Sequence, residues 1–252
     1  MDSTANTQIW TSSTIVIVVL LAIISIIATL VIRFLMIKYT NKYSTHEISS
    51  KHTAFSAVRN LLDANGMSDV EIKPLTFIQA LLYGNHYSSR KHTIYLNSKI
   101  LDSTSISAVG IAIQKVGLVM QHKENNKLFK ITSILSPVIL FSPMLIIPLI
   151  VVATTLDFLF LLGGTVAIIS CTLGLLYFLL TAAYSLVIIP IESRANKLAM
   201  ELIDKLDYMT DDEKSIVKEI YSMQILSYVL YFVVSLLEII KCILQLFLTA
   251  TH

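Results

Sequence analysis

Four apolar runs dominate the chain, at residues 14–37, 131–154, 158–189 and 225–248. Each is long enough to cross a bilayer as one helix, which takes about 20 residues. The first, "TIVIVVLLAIISIIATLVIRFLMI", follows a tail with no positive n-region and ends without a small-residue cleavage site. It therefore reads as a retained anchor, with Arg33 near its end free to snorkel. The second holds Pro137, Pro143 and Pro148, which predict kinks whose freed carbonyls neighbouring helices re-satisfy. The third carries Gly163, Gly164 and Gly174 as points of close helix packing. Around these runs lie short tails at 1–13 and 249–252 and two polar segments at 38–130 and 190–224.

Within 38–130 the period changes. "TAFSAVRNLLDANG" spaces its apolar residues as a helix does and ends on Asn65-Gly66, a helix stop. "VEIKPL" and "KHTIYLN" carry the alternation and β-branched or aromatic residues of short strands. Between them, "TFIQALLYGNHYSS" is expected to add a further strand and a turn. "DSTSISAVGIAIQKVGLVMQH" opens on capping hydroxyls and continues at helical spacing. In the second polar segment, "DKLDYMTDDEKSIVKE" predicts a solvated helix–turn–helix with Thr210 as an N-cap before acidic residues. The expected class is mainly α: four transmembrane helices and a small α+β domain.

Composition agrees with a membrane protein. The 252 residues are 55% hydrophobic and 14% charged, with mean hydropathy +0.73, a balance foreign to most soluble domains. A net charge of +2, with no basic block, gives no sign of a nucleic-acid partner. Cys171 and Cys242 both lie in apolar runs and read as buried thiols, not as a disulfide framework or metal pair. Of the 19 Lys and Arg residues, 12 fall in 38–130 and 5 in 190–224. The positive-inside rule then puts both polar segments in the cytoplasm and both termini outside, in a multi-pass cell-membrane protein.

One helix carries the candidate chemistry. In "AVGIAIQKVGLVMQHKENN", Gln114, Lys115 and Leu118 occupy the spacing of an H-E-x-x-H motif. That motif works because positions i and i+4 share a helix face, so two imidazoles hold one zinc while the glutamate handles a proton of bound water. "AVRNLLDANGMSDVEI", "NHYSSRKHTIYLNSKILDSTSISAVGIA" and "IPIESRANKLAME", in this order and with this layout of spans, resemble the YugP-type membrane zinc metallopeptidases of bacteria, distantly HtpX-like. The resemblance implies a metallopeptidase-type cytoplasmic domain and a zinc ion. It puts the first histidine at Gln114, the catalytic glutamate at Lys115, the second histidine at Leu118 and the third ligand at Glu192. Gly117, Gln121 and His122 match the surrounding pattern, while Asn85 and Arg194 replace acidic positions of the family.

The expectation is a degenerate member. Leucine has no lone pair, a glutamine amide is a poor zinc ligand, and an ammonium cannot act as the carboxylate base. No catalytic residues, zinc or other cofactor are expected. Either Gln114 or Lys115 bonds Glu192, replacing the metal with a polar bridge, or Glu192 faces water at the membrane surface. His46, His52, His86, His92 and His122 read as surface or structural residues. Glu238 and Lys241, three apart in the last span, are expected to pair or snorkel, with an ion pathway as the alternative. The protein is expected to bind lipid on its flanks and a membrane-protein or peptide partner in the former cleft, as scaffold or regulator. An active zinc peptidase with unusual ligands and a small transporter or channel are the competing readings.

Overall fold

Two of the apolar runs contain neither glycine nor proline, and both lie within helices of 40 residues or more. The computed structural model describes residues 2–82, 84–136, 165–206 and 208–250. Helix α1 covers Asp2–Lys42. Helices α2 (Ala54–Ala64), α3 (Phe77–Leu82), α4 (Ser98–Leu101) and α5 (Ile106–Lys123) follow, and residues 127–136 are helical (α6). The last two helices are α7 (Thr165–Leu206) and α8 (Asp211–Ala250). Among the described residues three helices are long and apolar enough to cross a membrane, over Val16–Tyr39, Ile168–Lys205 and Asp211–Phe247. Leu30, Leu176 and Phe247 are 61%, 59% and 65% exposed, a surface suited to lipid rather than water. Of the span expected at 131–154, only residues 131–136 are described, and the span expected at 158–189 is described from Thr165.

The segment 190–224 holds the expected helix–turn–helix, whose two arms are parts of longer helices. α7 runs on through Pro190 to Leu206, and α8 begins at Asp211. The turn between them ends on a reciprocal cap: Thr210 Oγ1 accepts from Glu213 N at 3.4 Å, and Glu213 Oε2 accepts from Thr210 N at 2.8 Å.

The chain divides into two units. One is drawn from the described parts of Met1–Arg33, Val138–Leu186 and Val229–His252. In it Thr181 Oγ1 donates to Ser235 Oγ at 3.4 Å, linking α7 to α8. Within α8, Glu238 pairs with Lys241. Cys171 and Cys242 are buried and free.

The other unit, Phe34–Pro137 with Val187–Tyr228, carries a three-stranded sheet of order β1-β3-β2. β1 (Glu71–Pro74) runs parallel to β3 (Thr93–Leu96), pairing Glu71 with Thr93. β2 (His86–Ser88) is antiparallel to β3, pairing His86 with Tyr95. Every residue of central β3 is buried. Its core joins Leu61 and Leu62 of α2, Ile94 and Leu96 of β3, and Ile113 of α5 with Leu202 and Ile203 of α7. Each such fully buried side chain contributes about 1.5–3 kcal/mol. Helices α2 and α5 both begin on hydroxyl caps: Thr53 accepts from Ser56 N at 3.1 Å, and Ser105, within the expected capping stretch, accepts from Ala108 N at 3.3 Å. α2 is capped by Asn65, with Gly66 following at φ +64°.

The stretch "TFIQALLYGNHYSS" does add a strand, β2, after a turn at Gly84, and its first half forms the helix α3, which the sequence reading did not expect. Thr76 and Gln79 form a capping box, with Gln79 Oε1 accepting from Thr76 N at 3.0 Å and Thr76 Oγ1 accepting from Gln79 N at 3.3 Å. This reciprocal pair favours helical entry over extension. The strand starts only after Gly84, at φ +59°.

Candidate functional site

α5 presents Gln114, Gly117, Leu118 and Gln121 along one face, as the 3.6-residue period requires. That face meets Ile191, Glu192, Ala195 and Asn196 of α7. The backbones approach so closely at Gly117 that a Cβ there would lie 2.4 Å from the Ala195 carbonyl oxygen. Only glycine permits that distance. One turn on, Gln121 Nε2 donates to the Ile191 carbonyl at 2.9 Å. Leu118 packs with Phe129, Ile191 and Ala195 in a small apolar cluster.

Beside that contact lies a buried polar layer. Gln114 Nε2 donates to Glu192 Oε2 at 2.7 Å, Asn196 Oδ1 at 2.8 Å and Gln224 Oε1 at 3.0 Å. Two amide hydrogens serve three oxygens, so at least one bond is shared. Gln224 Nε2 also approaches Glu192 Oε2 at 3.3 Å, and Lys115 Nζ donates to Gln114 Oε1 at 2.7 Å. Gln114 is fully buried, and Lys115 and Glu192 are 5% and 6% exposed. Burial pushes the Lys115 ammonium down from its ordinary value, while the Glu192 carboxylate pulls the other way. From the α8 side, Tyr221 Oη donates to the Gly110 carbonyl at 2.7 Å. Burial pushes that phenol well up.

The structure thus brings Gln114, Lys115 and Glu192 into one network and places Leu118 outside it, in hydrocarbon. Glu192 is buried rather than water-facing. Arg194 reaches the surface, where it pairs with Glu124 at 2.5 Å. Asn85 does structural work, its Oδ1 accepting from Asn97 N at 2.7 Å. Sequence reading missed Asn196 and Gln224. Asn196 stands one helical turn after Glu192, and that spacing was the available signal. Gln224 sits at the edge of an apolar run with nothing local to mark it.

The five histidines of the first polar segment all make ring contacts. His46 meets Tyr43, His52 meets Tyr208, and His86 stacks on Tyr95. Burial lowers the His86 imidazole, against a hydrogen bond to the Gly84 carbonyl that raises it. His92 and His122 lie together, with ring centroids 5.3 Å apart, on a cavity of about 290 Å³ that Met67, Asp69, Tyr87 and Val119 also line. Burial pushes the Tyr87 phenol up to about 12. Among the described residues no three of His, Cys, Asp and Glu are grouped to hold a metal.

Comparison with known proteins gives two matches. Residues 14–247 match the family described as "Putative neutral zinc metallopeptidase". The "Putative membrane protease YugP" of Bacillus subtilis (strain 168) is 28% identical over 206 residues, covering 81% of this chain and 84% of that protein. No solved structure matches the chain.

Proposed function

The chain belongs to this neutral zinc metallopeptidase family, and from that premise we propose a member that keeps the membrane scaffold without the hydrolytic zinc and works by binding. The observation that carries the reading is the position of the Gln114 amide nitrogen, within 3.0 Å of oxygens from Glu192, Asn196 and Gln224. A cation entering there would have to displace it. The residues around it do not suit zinc. Leu118 offers no lone pair, the amide oxygens are weak ligands, and Lys115 brings positive charge to the same layer. Hydrolysis also lacks the carboxylate base at Lys115 that activates water in the motif.

What remains is a bonded plug in place of a metal. Gln114, Glu192, Asn196 and Gln224 tie α5 to α7 and α8 through side chains whose polar atoms find partners, which is the condition for a buried polar layer to be tolerated. A scaffold held this way can grip a membrane segment or peptide in its former cleft without cutting it. The excess of Lys and Arg in the polar segments supports a cell-membrane protein with that unit on the cytoplasmic side and both termini outside.

The test is hydrolysis of casein by the full chain in detergent, with added zinc and with a chelator. Beside it runs the variant Gln114→His/Lys115→Glu/Leu118→His, which restores H-E-x-x-H on α5. We expect no chelator-sensitive cleavage from the natural sequence and measurable zinc binding in the restored variant. Chelator-sensitive cleavage by the natural sequence, abolished by Glu192→Gln, overturns the reading.

A further inference from the structure

We propose that His92 and His122 form a two-imidazole site for a divalent transition metal at the mouth of the Asp69–Tyr87 cavity, separate from the α5–α7 contact. Two imidazoles on one tetrahedral ion, with metal–nitrogen bonds of about 2.0–2.1 Å, hold their ring centroids about 5 Å apart. The observed separation is 5.3 Å, with the planes inclined by 62°. Each ring already has a partner at Nδ1. Tyr87 Oη lies 2.8 Å from His122 Nδ1, and Asp69 Oδ2 lies 3.5 Å from His92 Nδ1. Binding through Nε2 of His122 requires the tautomer in which its Nδ1–H donates to the Tyr87 oxygen, the outer-shell arrangement common around metal-bound histidines.

Two further features fit a ligand role. His92 holds a left-handed backbone, φ +47°, where glycine would sit without strain. A side chain kept at such a position calls for a reason beyond the turn. The cavity supplies room of about 290 Å³ for water to complete the coordination shell. Of the charged groups around it, Asp69 favours a cation, Lys130 opposes one beside His122, and Lys123 is turned to the carbonyls of Asn65 and Gly66, at 3.1 and 3.2 Å. Imidazole pairs of this kind suit zinc, nickel and copper. No spacing in the sequence announces the pair, because thirty residues separate its members.

The test is a cobalt(II) and nickel(II) titration of the full chain in detergent after chelator stripping. It reads stoichiometry, dissociation constant and the cobalt visible spectrum. The natural protein should take up one equivalent, with affinity falling more than tenfold in His92→Gly and in His122→Ala and unchanged in His46→Ala and Glu192→Gln. His92→Gly relieves the left-handed backbone, so lost binding there cannot be ascribed to misfolding. No saturable uptake, or uptake that both histidine variants keep, overturns the proposal. Uptake that Glu192→Gln removes and His122→Ala spares overturns it too, and moves the ion to the α5–α7 layer against the proposed function. Absence of uptake leaves that function intact, so the two failures are told apart.

Discussion

Replacing Gln114 by leucine should unlock more than one contact. The change removes the donor to Glu192, Asn196 and Gln224 and the acceptor for Lys115. A hydrogen bond to a charged group contributes about 1.5–3 kcal/mol and a neutral one about 0.5–1.5. Two amide hydrogens give one of each, and a Lys115 head left without its acceptor adds about 1–3 kcal/mol. The total is about 5 kcal/mol. At about 2–4 °C per kcal/mol for a chain of this size, the midpoint should fall by roughly 10–20 °C. Glu192→Leu removes the same central bond and the contact from Gln224, for a loss of about 3 kcal/mol. Because the two changes share that bond, the double variant should be more stable than the sum of losses by about 2 kcal/mol. The assay is thermal unfolding by circular dichroism in one detergent. Asn60→Ala, which breaks an exposed bond to Tyr208, serves as an uncoupled control. Additivity of Gln114→Leu and Glu192→Leu within about 0.5 kcal/mol would refute the network.

Gly117→Ala should lower stability by about 1–3 kcal/mol, because a methyl group 2.4 Å from the Ala195 carbonyl forces α5 from α7; an unchanged melting midpoint would show that the helices do not approach this closely. Glu213 gives a pH signature. Burial alone would raise its carboxyl, but hydrogen bonds from the Thr210 backbone and from Ser49 hold it below the usual range. A depressed folded value means stability fully present above about pH 4.5 and lost as pH falls below it. Glu213→Gln should therefore cost about 1 kcal/mol at pH 7 and flatten that acid limb; an acid limb of unchanged steepness would contradict the assignment.

Much of the fold is legible because its signals are local. Thr53, Ser105 and Thr210 announce helix starts through their own hydroxyls, and Asn65-Gly66 announces a stop. α3 shows what local reading can lose: "TFIQALLYGNHYSS" yields the strand and turn it contains, while the capping box of Thr76 and Gln79 at its start goes unread. The continuous passage of α7 through Pro190 was hidden for a different reason. The charged residues after Pro190 look like a boundary, whereas Ala195, Ala199, Leu202 and Ile203 are buried at helical spacing and carry the helix on. At the site, Gln114, Lys115 and Glu192 stood out through spacing and family resemblance. Asn196, Gln224 and the His92–His122 pair depend on three-dimensional packing of distant segments, which no one-dimensional period reports.

The central claim is that the α5–α7 layer is closed to zinc by its own side chains. The most direct test is the zinc content of the His92→Gly/His122→Ala variant, purified in detergent with zinc present, so that the outer imidazoles cannot contribute. The account predicts well under a tenth of an equivalent, unchanged by a further Glu192→Gln substitution. One full equivalent that departs with Glu192→Gln would contradict it.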